Sequence, residues 1–147
     1  MSQSAELESL AYQWISRWCA PVDWQLFDRL HGADFQDCSS AGRATTKQAF
    51  AAGLADLIDA FPDLQAQVED LVVDDAHNRL AVRWSAIGTN RLPFLGVGPT
   101  GRPTPMTGIE IIEIENGQII RRWGEWDITA HAAPAAAAER GVQWKGG

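Results

Sequence analysis

The stretch "TGIEIIEIENGQIIRRWGEWD", residues 107–127, decides the fold of this chain. Apolar and polar residues alternate on both sides of the dipeptide Asn116-Gly117, which indicates two half-buried strands joined by a tight turn. Both central residues of a type I′ turn need a positive φ, and an Asn-Gly pair adopts it with little strain. We therefore predict strands over 104–115 and 118–127 that pair antiparallel across this turn.

The same period of two continues toward the N-terminus. It predicts strands over 64–75 and 79–90, with the turn residues "DDAHN" between them. A Gly- and Pro-rich loop, "RLPFLGVGPTGRP", occupies positions 91–103. This loop contains too much proline for a central strand and is too apolar for an ordinary solvent loop, so we predict that it forms a lid or rim.

Three helices are predicted before the strands. The first covers residues 5–19, where apolar residues recur at intervals of three and four. Asp23 is the expected N-cap of the second helix, and Gly32 is expected to end it in the left-handed conformation. A capping box formed by Thr45 and Gln48 is expected to start the third helix.

This order of elements predicts an α+β fold, with the N-terminal helices packed on a strongly curved, mainly antiparallel sheet that encloses a pocket. The 147 residues, 46% of them hydrophobic, suit a single domain over 1–147, with a core over about 7–127 and a low-complexity tail over 128–147. The formal charge of -7 argues against binding to nucleic acid or anionic lipid. A small apolar or aromatic molecule is the expected partner.

Cellular location and cofactor use are also constrained by the sequence. The chain shows neither a basic start followed by an apolar run nor an apolar stretch long enough for a bilayer, which predicts a cytoplasmic protein without membrane contact. Cys19 and Cys38 are expected to be reduced thiols in or near the core. No histidine or cysteine pair has the spacing of metal ligands, so we predict no metal and no cofactor.

Several motifs resemble a known family. The segments "FQDCSSAGR" (35–43), "FPDLQAQVEDLVVDD" (61–75) and the whole run from Gly88 to Asp127 resemble the SnoaL-like polyketide cyclases of the nuclear transport factor two-like superfamily. The resemblance implies a cone-shaped α+β fold. It also implies an intramolecular aldol reaction that uses carboxylate acid/base chemistry and no cofactor.

The resemblance also points to positions where this chain departs from the family. The cyclases carry a catalytic aspartate after the hairpin, and that position corresponds here to Gly124, while Asp127 matches the second acid of the motif. The histidine of the preceding strand corresponds to Glu110. The chemistry is therefore expected to lie with Glu110 or Asp37, or with Glu125 if a bulge turns it inward; otherwise the ring-closing reaction has been lost.

Glu110 and Asp37 each have two possible roles. Glu110 shares a strand face with Ile112, and burial there would raise its pKa and suit it to proton transfer. The alternative for Glu110 is an ion pair across the sheet with one of three arginines, Arg83, Arg121 or Arg122. Asp37 matches by resemblance the base of ketosteroid isomerase. Its alternative is a loop contact with backbone N–H groups near Ser39 and Ser40.

Aromatic residues complete the expected pocket. We predict that it is lined by Trp14, Trp18, Phe35, Phe61, Trp84, Phe94, Gly124 and Trp126. His31 follows the second helix, where a cationic cap is favoured by the helix dipole. The outer sheet face would expose an apolar patch, so we predict a homodimer through Ile109, Ile111, Ile119 and Trp123.

Three functions remain open from the sequence. The first is a cyclase or isomerase that acts on an apolar carbonyl compound. The second is an epoxide hydrolase of the limonene type, which by resemblance needs an arginine between two acids, with Arg83 or Arg122 as the arginine. The third is a non-catalytic small-molecule-binding protein on the same fold.

Overall fold

The computed structural model describes residues 2–39, 42–96 and 98–128. Three helices and five strands are present in this part of the chain. In chain order they are α1 (Gln3–Ser16), α2 (Trp24–Leu30), β1 (His31–Asp37), α3 (Lys47–Ala60), β2 (Gln65–Asp74), β3 (Arg79–Thr89), β4 (Pro103–Glu115) and β5 (Gln118–Asp127). The predicted α+β class is confirmed.

The strands form one open sheet in the order β1-β5-β4-β3-β2. Strands β2 to β5 pair antiparallel, whereas β1 pairs parallel to β5. The predicted hairpin between β4 and β5 is confirmed, because Asn116 and Gly117 have φ values of 53° and 75°. Strand β5 begins and ends at the predicted residues.

Strand β1 is not among the strands predicted from the sequence. A parallel neighbour supplies its hydrogen bonds, and that pairing is invisible in local sequence. Gly32 lies inside β1 and does not have a positive φ, so the predicted left-handed ending of α2 is wrong. The chain leaves α2 through His31, which is extended with φ -111° and ψ 127°.

Two helix boundaries differ from the prediction. The N-cap of α3 is Thr46 and not Thr45, since the Thr46 hydroxyl accepts the N–H of Ala49 at 3.2 Å. Thr45 is instead bound to β1, where its carbonyl accepts the N–H of Asp37 at 2.8 Å. Helix α1 ends at Ser16, three residues before the predicted end.

The core lies between the helices and one face of the sheet. Helix α1 packs on β2 and β3, and α3 packs on β1. Ile119 belongs to this core and is fully buried, so its predicted place in the outer patch is wrong. The reason is a register shift between Glu113 and Ile114, which pairs Ile114 with Ile119 and turns that residue inward.

The outer sheet face exposes three of the four predicted patch residues, namely Ile109, Ile111 and Trp123. The two cysteines are free thiols, as expected, but Cys38 is exposed and Cys19 is half-buried. None of the described helices is long and apolar enough to cross a membrane. The predicted tail lies outside the described residues from 129 onward.

The loop over 91–103 is fastened to Asn90 at the end of β3. The Asn90 side chain donates to the carbonyl of Leu92 at 2.8 Å and accepts the N–H of Thr100 at 2.6 Å. Phe94 of this loop packs edge-on against Phe61, with ring centroids 5.6 Å apart. The loop is thereby held against the core at the end of α3.

Candidate active site

Three charged side chains from neighbouring strands meet between the sheet and the helices. Arg122 of β5 pairs in register with Asp37 of β1, and Glu110 of β4 pairs with Gly124, two residues along β5. Because side chains alternate along a strand, all three charged groups point to the helix-covered face. The side chains of Asp37 and Glu110 are 0% exposed, and that of Arg122 is 5% exposed.

Arg122 bridges the two carboxylates. Its Nη1 donates to Oδ1 of Asp37 at 3.0 Å, and its Nε donates to Oε1 of Glu110 at 3.0 Å. Its Nη2 donates to the same oxygen of Glu110. Burial by itself lowers the pKa of Arg122, but the two carboxylates raise it further, so the net shift is upward. The expected cross-sheet ion pair of Glu110 is confirmed with Arg122, while Arg121 pairs with Glu113.

The second oxygen of Glu110 is held by two tryptophans. Oε2 accepts the indole N–H of Trp84 at 3.2 Å and that of Trp126 at 3.1 Å. Burial raises the pKa of Glu110, although the nearby charge of Arg122 opposes the rise. Both alternatives left open for Glu110 therefore occur together, namely burial with a raised pKa and an ion pair across the sheet. Such a carboxyl group titrates closer to neutral pH, where proton transfer is most efficient.

Asp37 is buried and also makes the loop contact expected from the sequence. Its Oδ2 accepts Nη2 of Arg43 at 2.8 Å, and its Oδ1 also accepts the backbone N–H of Ser39 at 3.3 Å. The loop contact expected from the sequence is therefore present together with burial in the interior. With Arg122 on one oxygen and Arg43 on the other, Asp37 is held in one orientation. Its position fixes Arg122 in turn.

His31 is buried in a neutral form. Nε2 accepts the indole N–H of Trp14 at 2.9 Å, which requires Nδ1 to carry the proton and donate to the carbonyl of Phe27 at 2.7 Å. Burial, followed by repulsion from Arg17, lowers the pKa of His31 to about 3. The expected cap contact with α2 is present, but the expected positive charge is wrong, because the surrounding core excludes water.

The predicted pocket residues form a packed aromatic cluster. Trp18 lies 5.1 Å from both Trp14 and Trp84 and 5.7 Å from Trp126, measured between ring centroids. Five of the predicted residues are 0% to 3% exposed, and they are Trp14, Trp18, Phe35, Phe61 and Trp84. Phe94 and Trp126 are half-buried at the edge of this cluster.

Glu125 and Asp127 lie on the opposite face of the sheet. The only irregularity in the pairing of β4 with β5 falls at Glu113 and Ile114, so no bulge turns Glu125 inward and that prediction is wrong. Both acids instead line an open depression of about 560 Å³, whose lining also includes Trp84 and Trp126. A second depression of about 560 Å³ lies between α1 and the hairpin turn. Neither depression contains Glu110, Asp37 or Arg122.

In the described residues, no group of three or more His, Cys, Asp and Glu side chains is arranged to hold a metal ion. The interior cluster brings several groups with acid/base and hydrogen-bonding capacity together. These are a carboxyl group with a raised pKa, a second carboxylate that positions an arginine, and N–H donors from Arg122 and two tryptophans. Such a set can move a proton and stabilise a developing negative charge.

Comparison with known proteins identifies the family. The sequence matches the model of the SnoaL-like polyketide cyclases over residues 9–133. The chain belongs to this family. No curated protein matches it significantly.

Solved structures of SnoaL-like proteins share the cone-shaped fold. AclR, a candidate hydroxylase from Streptomyces galilaeus, is 21% identical with a TM-score of 0.74, over 85% of this chain and 81% of that one. IdmH, a candidate polyketide cyclase from Streptomyces antibioticus, is 24% identical with a TM-score of 0.70, over 88% and 96%. A candidate SnoaL-like polyketide cyclase from Jannaschia is 20% identical with a TM-score of 0.76, over 88% and 91%. At these identities the likeness shows the fold alone.

Gly124 stands where the family resemblance places an aspartate, and the space beside it is filled. A Cβ atom at this position would collide with the Arg122 guanidinium and with both carboxylate oxygens of Glu110. The expectation that Gly124 leaves room in the pocket is therefore wrong. The glycine instead allows the Arg122–Glu110 ion pair to lie directly against the backbone of β5.

Two arginines of the interior were absent from the predicted site residues. Arg122 could have been found from the hairpin register, which places it on the same face as Glu110. Arg17 is 1% exposed, and its guanidinium carbon lies 4.3 Å and 4.1 Å from the ring centroids of Trp14 and Trp18. Its position three residues after Trp14 falls on the apolar stripe of α1, and a charge on that stripe was the available signal.

A methyl group at position 124 should separate the central ion pair. Gly124→Ala is expected to lower the free energy of unfolding by about 1–3 kcal/mol, because the tightly packed ion pair must move. Urea denaturation measures the change. The matched control is Gly53→Ala in α3, where a Cβ would meet Arg43 no closer than 3.7 Å; it should stabilise by about 0.5–1 kcal/mol. Equal stability of Gly124→Ala and the wild type would contradict the packing described above.

Neutral His31 makes the fold sensitive to acid. Its folded pKa of about 3 lies below the ordinary 6.5, so only the unfolded chain takes up this proton as pH falls from 6.5 toward 3. Between pH 7 and pH 5 the resulting loss of stability is about 2 kcal/mol.

Urea denaturation at pH 7 and pH 5 tests this, and His31→Gln should remove that part of the difference. His77→Gln, at an exposed turn position, should leave the difference unchanged. The same pH dependence in His31→Gln and the wild type would show that another group is responsible.

Proposed function

We propose that this SnoaL-like protein is an enzyme that removes a proton next to the carbonyl group of an apolar small molecule, with Glu110 as the base. The observation that carries the proposal is the environment of Glu110. Its carboxyl group is fully buried, its pKa is raised, and three donors hold it in one orientation. It also occupies the strand position where the resemblance places a histidine in the cyclases.

The surrounding donors suit the charge that such a reaction creates. Glu110 in its charged form accepts the proton from the carbon, and the electron pair of the broken C–H bond forms an enolate. Protonation makes Glu110 a weaker acceptor, so the N–H groups of Trp84, Trp126 and Arg122 become available to the enolate oxygen. In a cyclase the enolate carbon then attacks a second carbonyl, and Glu110 returns the proton to the resulting alkoxide.

Asp37 acts through Arg122 in this scheme. Its contact at 3.0 Å holds the guanidinium in place when Glu110 becomes neutral, and it supplies the remaining negative charge. Trp126 is the half-buried donor of the set, so we expect a substrate to reach Glu110 past this ring. The apolar rings of Trp18 and Trp84 around Trp126 favour a flat, apolar substrate.

Exchange of hydrogen for deuterium in D₂O tests the proton transfer without knowledge of the natural substrate. Polycyclic aromatic and terpenoid ketones are incubated with the protein, and loss of the hydrogens next to the carbonyl is followed by NMR. Glu110→Gln should slow the exchange by about 10²–10⁴-fold. The rate should rise with pH through a value above the ordinary pKa of glutamate, since the charged form is the base.

The control for this experiment is Glu125→Gln, on the outer face of the same sheet, which should exchange at the wild-type rate. Asp37→Asn should slow exchange less than Glu110→Gln. Tight ketone binding, seen by tryptophan fluorescence, without exchange in the wild type would favour a non-catalytic binding protein and overturn the proposal.

Epoxide hydrolysis is the second candidate, and one observation favours it. Arg122 lies between two acids, Asp37 and Glu110. This arrangement resembles the arginine between two acids that a limonene-type epoxide hydrolase needs. Gly124 has no carboxyl group, so Asp37 provides the second acid of the set. In this reaction one carboxylate activates water and the other acid protonates the epoxide oxygen. Incorporation of ¹⁸O from labelled water into a diol, lost in both Asp37→Asn and Glu110→Gln, would identify this activity.

The exposed outer face supports a further proposal, a homodimer. Ile109, Ile111 and Trp123 are 55%, 43% and 38% exposed and lie on adjacent strands, where pairing with a second copy would remove them from water. Light scattering at micromolar concentration should give twice the mass of the chain. Ile109→Glu should shift the protein toward the monomer, whereas Leu92→Glu, in the loop, should not. A monomeric wild type would contradict the proposal.

A further inference from the structure

Arg17 is a buried cation without an acceptor. It is 1% exposed, and its Nε, Nη1 and Nη2 atoms have no hydrogen-bond partner among the described residues. Buried guanidinium groups are ordinarily paired, because loss of hydration without compensating hydrogen bonds is strongly unfavourable. The Arg17 side chain therefore needs a hydrogen-bond acceptor that the described residues do not supply.

The nearby carboxylates are already occupied. Both oxygens of Glu110 are held by Arg122, Trp84 and Trp126, and none of their donors is Arg17. Asp37 is likewise held by Arg122 and Arg43. Arg17 nevertheless lies close enough to interact electrostatically with Glu110, Asp37 and Arg122. Arg43 is exposed, so the buried charges are those of Arg17, Arg122, Asp37 and Glu110, and Arg17 has no hydrogen-bond acceptor among the described residues.

Aromatic rings cover Arg17. Its guanidinium carbon lies 4.3 Å from the ring centroid of Trp14, 4.1 Å from that of Trp18 and 4.6 Å from that of Phe50. These cation–π contacts stabilise the charge but accept none of the N–H groups. Since the rings occupy the region about the guanidinium, an acceptor has to approach the N–H groups from the side. A planar group with two oxygens fits this approach, because a guanidinium binds such groups through two parallel hydrogen bonds.

We infer that Arg17 binds a planar, delocalised organic anion inside the cone, either a carboxylate or the enolate of a 1,3-dicarbonyl compound. This inference deepens the proposed function and rests on it for the substrate class, since a 1,3-dicarbonyl carries the acidic hydrogen that Glu110 would remove. The anion would lie beside the ion-pair cluster and supply the hydrogen-bond acceptor that Arg17 lacks. Arg17 holds the substrate oxygens in this arrangement, while Glu110 moves the proton.

Two probe compounds distinguish the two anions. They are 1-naphthoate, a carboxylate, and 2-acetyl-1,3-cyclohexanedione, which is an enolate at neutral pH; 1-naphthamide is the neutral control. A ligand that reaches Arg17 must displace part of the ring cluster, so binding should change the fluorescence of the neighbouring tryptophans. The wild type should bind at least one of the anions and bind the amide more weakly. Binding of neither anion, or equal binding of naphthoate and naphthamide, would overturn the inference.

Arg17→Met tests the residue itself. It should weaken binding of the anion by about ten- to a hundredfold, because a charged hydrogen-bond donor is lost. Arg102→Met, which removes an exposed arginine, should bind like the wild type. Without ligand, Arg17→Met should melt at or above the wild-type temperature, since an apolar side chain replaces an unpaired buried charge. A lower melting temperature would show that the chain, through its cation–π contacts, already compensates the Arg17 charge without an anion, and would overturn the inference.

The two proposals can fail separately. Glu110→Gln should slow exchange but bind the anion at least as tightly as the wild type, because it removes a negative charge near Arg17, whereas Arg17→Met should lose the affinity. If the wild type binds naphthoate through Arg17 but exchanges no ketone hydrogens, the anion site stands and the proposed reaction fails. If ketones exchange and Arg17→Met binds both anions like the wild type, the reaction stands and the anion site fails.

Discussion

The structure depends on one buried interaction, the bridge that Arg122 forms between Asp37 and Glu110. It joins three neighbouring strands, β1, β5 and β4, beneath the helices. Burial of these charges is unfavourable by itself, because they lose their hydration. The hydrogen bonds from Arg43, Trp84 and Trp126 offset the lost hydration free energy. Loss of either partner would leave an unpaired charge in the core, which in other proteins costs about 3–5 kcal/mol.

The departures from the family pattern belong together in this arrangement. Gly124 and Glu110 are direct neighbours across β4 and β5. An aspartate at 124 would collide with the ion pair, and a histidine at 110 would give Arg122 no second carboxylate. A buried carboxylate is therefore present on β4, next to the β5 position where the resemblance places an aspartate.

Local sequence predicted what depends on neighbours along the chain. Alternation placed Glu125 on the strand face opposite to Gly124, and the Asn116-Gly117 turn set the pairing of β4 with β5. Prediction failed where distant segments decide. Ile119 is buried because of a register shift, and His31 is neutral because Trp14, seventeen residues earlier, donates to it inside a dry core.

The sequence by itself determined the α+β class and the hairpin, because periodicity and turn chemistry are properties of consecutive residues. Only the tertiary structure decided which charges meet. Strand β1 pairs parallel with β5 and so brings Asp37 to Arg122, although 85 residues separate them. The end of α1 buries Arg17 beside that cluster, among rings from α1 and α3. Which charges interact depends on the distance between them in space. The alternation of residues along a strand does not contain that distance.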